Sequence, residues 1–184
     1  DISIRQLASS QTNTGNYLQP GSKILKTGTH MFDLNINNLT YQFEFNVSDK
    51  ETTKDIQSKI SRLINRSNIG LSSEILNDNL GNTAISIKSD ATGISGIKPT
   101  IFNVEEDANE LVSTLGLNRV SEYPANAIYT VDGEEFASTT NSFTINNTFA
   151  ITAKNTTGEE PVNVSLSADK DAIADSINEL IGGY

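Results

Sequence analysis

Between residues 28 and 47 the apolar side chains alternate with polar ones on both sides of a two-residue break. This pattern constrains the fold more than any other. Phe32, Leu34 and Ile36 occupy every second position, Asn37 and Asn38 interrupt, and Leu39, Tyr41, Phe43, Phe45 and Val47 resume the alternation. Successive side chains of a strand point to opposite faces, so each arm presents one apolar face. A two-residue hairpin turn fits the break. The pattern therefore predicts an antiparallel hairpin whose apolar face needs a second layer. Composition agrees. The chain has 21 Asn, 20 Ser and 19 Thr, about a third of its 184 residues. These side chains bond nearby backbone and suit short strands joined by many turns. Recurring apolar periods and only 20% charged residues argue against disorder.

The second layer is legible downstream. Ile56, Ile60, Leu63 and Ile64 fall on one face of a helix, with Ser48 and Glu51 as an expected S-x-x-E capping box and Asn65, Asn68 and Gly70 as the stop. Residues 71–76 and 84–88 read as strands around a turn at 77–82. Residues 101–104 read as another strand. A second helix is expected over about 105–115, with Leu111, Val112 and Leu115 inward and Gly116 ending it. Residues 9–22, with Gly15, Pro20 and Gly21, read as a loop or linker, and 118–126 as an aperiodic boundary. Beyond it come short alternating runs: Ile128, Tyr129 and Val131, the turn Asp132-Gly133, then Phe136, Phe143 and Ile145, Phe149 and Ile151, and Val162, Val164 and Leu166. A third helix is expected from about Asp169, with Ile173, Ile177, Leu180 and Ile181 on one face.

The expected fold class is a β-rich α+β chain of mostly antiparallel strands with two or three short helices. It is organised as two small domains, one of them discontinuous. Residues 1–22 plus 122–168 form one β-rich domain, because the strand at 2–7 has no partner nearby in sequence. Residues 25–120 form an inserted α+β domain, and 169–184 start a further helix still in progress at the last residue. The chain begins with Asp rather than Met, so it is read as a fragment.

Chemistry is mostly excluded. With no Cys, disulfides, thiol catalysis and Cys-ligated zinc are absent, and a single His rules out a two-His metal site. Lys plus Arg is 13 against 23 Asp plus Glu, a net charge of −10 that argues against nucleic-acid partners. No apolar run approaches the ~20 residues that span a bilayer, so no membrane partner is expected. His30 is expected at a strand edge. Ser95 in GISG lacks the nucleophile-elbow context. The run Asn77-Asp78-Asn79 meets Lys88 where a calcium loop needs Glu, so a hairpin turn is the better reading. Glu105-Glu106-Asp107 and Asp169-Lys170-Asp171 read as acidic helix starts. No catalytic, cofactor-binding or metal residue is assigned, and an enzyme is not expected.

The residues resemble a known family. Ile4, Gln6, Leu7 and Ala8 match a V-x-Q-L-A opening strand. Ile64-Asn65, followed by Gly70-Leu71, the strand 84–89 and Gly93, resembles the flagellin IN motif. Leu115-Gly116-Leu117 matches an L-G-L that closes an inserted domain. Val131-Asp132-Gly133, Thr140-Asn141, Asp169 or Asp171 and Tyr184 follow in family order. Together they resemble the flagellar hook-associated protein 2 family, the filament cap. The chain departs from the family pattern at Asn147-Thr148-Phe149 and at Leu180-Ile181. The resemblance implies β-rich head domains on a helical stalk, without cofactor. Flagellin is the implied partner, and self-association into a ring runs through stalk helices outside this chain. It implies an extracellular place at the flagellum tip, reached by the flagellar export route, and leaves host glycans or mucin as further partners. Two alternatives stay open: an outer domain of a flagellin, and a surface adhesin or carbohydrate-binding module using Tyr17, Tyr41, Tyr123 or Tyr129.

Overall fold

The computed structural model describes residues 1–106, 110–145, 149–158 and 160–164. The expected third helix, with Asp169, Asp171 and Tyr184, lies outside the described residues. So do Leu166 and the departure at Asn147-Thr148.

The hairpin forms as its pattern predicts. β3 (Gly28–Ile36) and β4 (Leu39–Val47) pair over nine consecutive positions without a bulge. Asn37 and Asn38 take φ 53° and 61°, the left-handed pair of a type I′ turn. β7 (Phe102–Glu106) adds on the other side of β3. Phe32 and Leu34 are fully buried, and Phe43, Phe45 and Val47 nearly so. His30 pairs with Phe45 of β4 and lies beyond the β7 pairing, which runs from Phe32 to Ile36. It is nonetheless buried, with Nε2 2.8 Å from the Lys26 carbonyl and its ring stacked on Phe45.

The first helix, α1 (Thr53–Ser67), buries Ile56, Ile60 and Ile64 completely, with Leu63 packed at the margin. Each such side chain contributes about 1.5–3 kcal/mol of hydrophobic stabilisation. The capping box sits four residues later than expected. Thr52 is the N-cap, with its side chain and that of Asp55 bonding reciprocally. Ser48 and Glu51 close the preceding turn instead, through Ser48 N–H to Glu51 Oε2 at 2.8 Å. Asn68, at φ 51°, ends the helix.

A four-stranded sheet runs β5-β6-β2-β8, comprising β5 (Leu71–Asn77), β6 (Thr83–Thr92), β2 (Ser10–Thr14) and β8 (Val120–Glu122). Two expectations fail here. Residues 10–14, read as linker, form an inner strand, and the aperiodic 118–126 segment holds β8. β2 has no apolar residue. Its inward positions are Gln11 and Asn13, 0% and 2% exposed, and their amides are hydrogen-bonded. Hydrophobic periodicity cannot register such a strand. The second helix is also shorter than expected: α2 spans Leu111–Leu115. Glu105 and Glu106 end β7 instead of opening a helix, pairing with Asp33 and Phe32. Both sheets and both helices share one hydrophobic cluster.

A second cluster gathers Ile2, Ile4, Tyr129 and Phe143. β1 (Ile2–Gln6) pairs with β9 (Ala127–Val131), which pairs with β10 (Glu134–Ser138). The amino-terminal strand thus finds its partner in the distant β region, and Ile2 also bridges to Val162. β11 (Ser142–Ile145) and β12 (Phe149–Thr152) form the facing hairpin, and Tyr129 stacks on Phe143 at 3.7 Å between ring centroids. The protein is a β-rich α+β fold of antiparallel sheets with two short helices among the described residues. No helix among them is long and apolar enough to cross a membrane.

Three carboxylates are held below their usual range by hydrogen bonds. Lys59 and then the Ser48 N–H lower Glu51, Thr52 lowers Asp55, and Asn82 lowers Asp78. A lowered folded-state value adds stability above the unfolded value and loses it as pH falls through the folded one. The urea midpoint should therefore be flat around neutrality and drop below the usual carboxylate range. Asp78→Asn should flatten that acid limb. An unchanged limb would contradict the assignment for Asp78.

Candidate functional site

Two of the motif residues, Asn65 and Asn141, are side-chain clamps on the backbone of another element. At the end of α1, Asn65 Oδ1 accepts from Ser73 N–H at 2.7 Å and Nδ2 donates to Ser73 O at 2.8 Å. Ser61 Oγ donates to the same carbonyl at 3.0 Å. The amide thereby replaces a missing strand neighbour along β5, an edge of its sheet. Ile64, beside it, is fully buried. Asn141 does the same for Ala8, accepting from its N–H at 2.7 Å and donating to its C=O at 3.0 Å. Two residues 133 apart in sequence are joined in this way.

Gln11 is a third clamp, which the sequence reading missed. Its Oε1 accepts from the N–H groups of Ile101 and Phe102 at 2.7 and 3.1 Å. Its Nε2 donates to Phe102 O and Asn13 Oδ1 at 2.9 and 2.8 Å. β7, the edge of the three-stranded sheet, is tied to β2 by this amide. The two sheets are bridged by a side chain where no ladder exists.

The remaining motif residues have local roles. Leu115 and Leu117 are 1% exposed around Gly116, which caps α2 at φ 69°, a left-handed conformation that disfavours any Cβ. Asn13 Nδ2 donates to Leu117 O at 3.0 Å. Val131 packs on the second cluster, and Asp132 and Gly133, at φ 50° and 88°, turn β9 into β10. Leu7 packs on that cluster, and Gln6 Nε2 donates to Asn126 O at 2.8 Å. The structure joins Ala8 with Asn141. It does not gather the twelve motif residues into one site.

The junction between the clusters is polar. Ser9 O accepts from Gly93 N–H at 3.0 Å, Asn126 Oδ1 accepts from Ile94 N–H at 2.7 Å, and Thr92 Oγ1 donates to Thr139 O at 2.7 Å. A cleft of about 700 Å³ opens beside it, lined by Asn35, Asn38, Thr40, Ser95 and Lys98 among others. These are hydrogen-bonding groups without a nucleophile–base pair. Among the described residues no three His, Cys, Asp or Glu side chains are grouped to hold a metal. A Cβ on Gly93 would lie 2.6 Å from the Thr139 backbone, at φ +66°. Gly93→Ala should therefore cost roughly 1–3 kcal/mol. It should also raise amide exchange at Ile94 and Ala125, whose N–H groups donate across the junction, while Gly96→Ala, in open space, should leave those amides protected.

The backbone arrangement has solved counterparts. The D2-D3 domains of the flagellar cap protein FliD from Serratia marcescens match with TM-score 0.67 at 20% identity, over 88% of this chain and 89% of that one. FliD (HAP2) from Pseudomonas aeruginosa PAO1 matches with TM-score 0.71 at 18% identity, over 100% of this chain and 85% of that one. This is the D2-D3 fold of flagellar cap proteins. The D2-D3 domains of Escherichia coli FliD match as well, with TM-score 0.61 at 20% identity, over 85% and 82%. No family model and no curated protein sequence matches the chain.

Proposed function

We propose that this chain is the head of a flagellar filament cap protein, a structural module without catalysis that promotes flagellin assembly at the filament tip. The observation that carries the reading is the D2-D3 fold, matched over most of both chains in cap proteins of three bacteria. The ordered motifs support it, and two of their residues, Asn65 and Asn141, act as backbone clamps. On this reading the chain divides into residues 1–9 with 123–164 and residues 10–122. The division is drawn at 9 rather than 22 because Ser10–Thr14 pairs with β6 and β8. Residues 169–184 start the stalk, whose helices form the ring. The partner is flagellin, and the location is outside the cell at the filament tip.

The carbohydrate reading has less support: Tyr129 is buried and stacked on Phe143, and although Tyr17 and Tyr123 are exposed, neither lines the cleft beside the junction. Deleting the gene tests the cap reading. The expected result is cells without filaments that release flagellin monomers into the medium, restored by the full-length gene. Filaments of normal number and length in the deletion strain would overturn it.

A further inference from the structure

Among the described residues, the strand edges other than that of β4 are short, charged or covered. β1 is covered by its bridge to Val162 and by the bonds between Ile4 and Thr157, and β11 is four residues long. β5 is clamped by Asn65 and β7 by Gln11. β8 is three residues long with an irregular register, and β12 is four residues long. β10 carries Glu134 and Glu135. β4 is nine residues long, regular, and free of Pro and Lys. Long, flat, unguarded edges are templates for pairing with another chain.

The register shows which groups are open. In a two-residue I′ hairpin the closing pair, here Ile36 and Leu39, exchanges both backbone bonds. Odd-numbered residues of β4 therefore bond β3, and even-numbered ones face outward. Lys59 Nζ donates to Asn46 O at 2.7 Å, which agrees with this parity and closes that end. Thr40, Gln42 and Glu44 remain, with no backbone partner among the described residues.

We propose that this edge pairs with β4 of a second copy of the chain, antiparallel about a two-fold axis at Gln42. Thr40 then faces Glu44 of the second copy, and Gln42 faces its own counterpart. Three hydrogen-bonded pairings give about six backbone bonds. Tyr41 meets Phe43 and Leu39 meets Phe45, the aromatic and aliphatic cross-strand pairs that stabilise sheets. Leu39, 56% exposed, gains cover. No like charges oppose one another in this register, and the register avoids Asn46. Each copy carries a net charge of −10, so the pairing is weak and strengthens with salt.

Sedimentation equilibrium on this chain, up to the millimolar range and at two salt concentrations, tests the proposal. A concentration-dependent dimer favoured by salt is expected. Gln42→Lys sets two ammonium groups face to face and should weaken it about tenfold or more at low salt. Thr40→Lys meets Glu44 and should tighten it several-fold. Leu80→Lys, in the exposed turn between β5 and β6, makes the same charge change away from the edge and should leave the dimer unchanged, and circular dichroism checks that each variant folds. A dimer tightened by Gln42→Lys would overturn the register, because a register centred one residue later faces Gln42 with Glu44. A chain monomeric throughout would overturn the proposal. So would a chain that binds a synthetic peptide of residues 37–48 while staying monomeric, which would make the occupant an extended peptide.

Discussion

Replacing Gln11 by leucine should cost on the order of 4 kcal/mol of folding free energy. The side chain is fully buried and makes four hydrogen bonds, to Ile101, to both backbone groups of Phe102, and to Asn13. Leucine fills nearly the same volume, so packing is largely kept and the loss comes from polarity. Two N–H groups, a carbonyl and an amide oxygen are left buried, each at about 1–3 kcal/mol before relaxation. Denaturant melts check it against Gln6→Leu, which removes an exposed amide and should change stability by less than about 1 kcal/mol. If the two variants melt alike, the bridge between the sheets lies elsewhere.

Ile60→Ala should cost roughly 2–5 kcal/mol, the range for truncating a buried branched side chain. Ile60 lies between Ile56 and Ile64 on the buried face of α1, and all three are fully buried. Arg62, exposed on the same helix, is the control, and Arg62→Ala should shift the melt by less than about 0.5 kcal/mol. A change under about 0.5 kcal/mol for Ile60→Ala would mean that α1 does not close the first cluster.

These residues mark where the sequence was legible. Ile60 follows from apolar spacing alone, because burial of a helix face leaves a 3.6-residue period. The hairpin follows for the same reason at period two. Gln11 does not, because SQTNT buries amides instead of apolar groups and has no apolar period to read. The cap of α1 moved because Ser48–Glu51 and Thr52–Asp55 offer the same chemistry one turn apart. Only the pairing geometry decides which one opens the helix. α2 lost its first turn to the sheet, since pairing of Glu105 and Glu106 with β3 outweighs a local helical pattern. The motif residues were legible as a resemblance, but the clamps made by Asn65 and Asn141 were not. Their partners, Ser73 and Ala8, come from tertiary contact.

The most direct measurement of the central claim is gold labelling of the full-length protein on intact cells, with an antibody raised against this chain. The cap reading predicts gold confined to the distal end of each filament. Gold spread along the filament would make the chain an outer flagellin domain. Gold over the cell body with bare filaments would contradict any place in the flagellum.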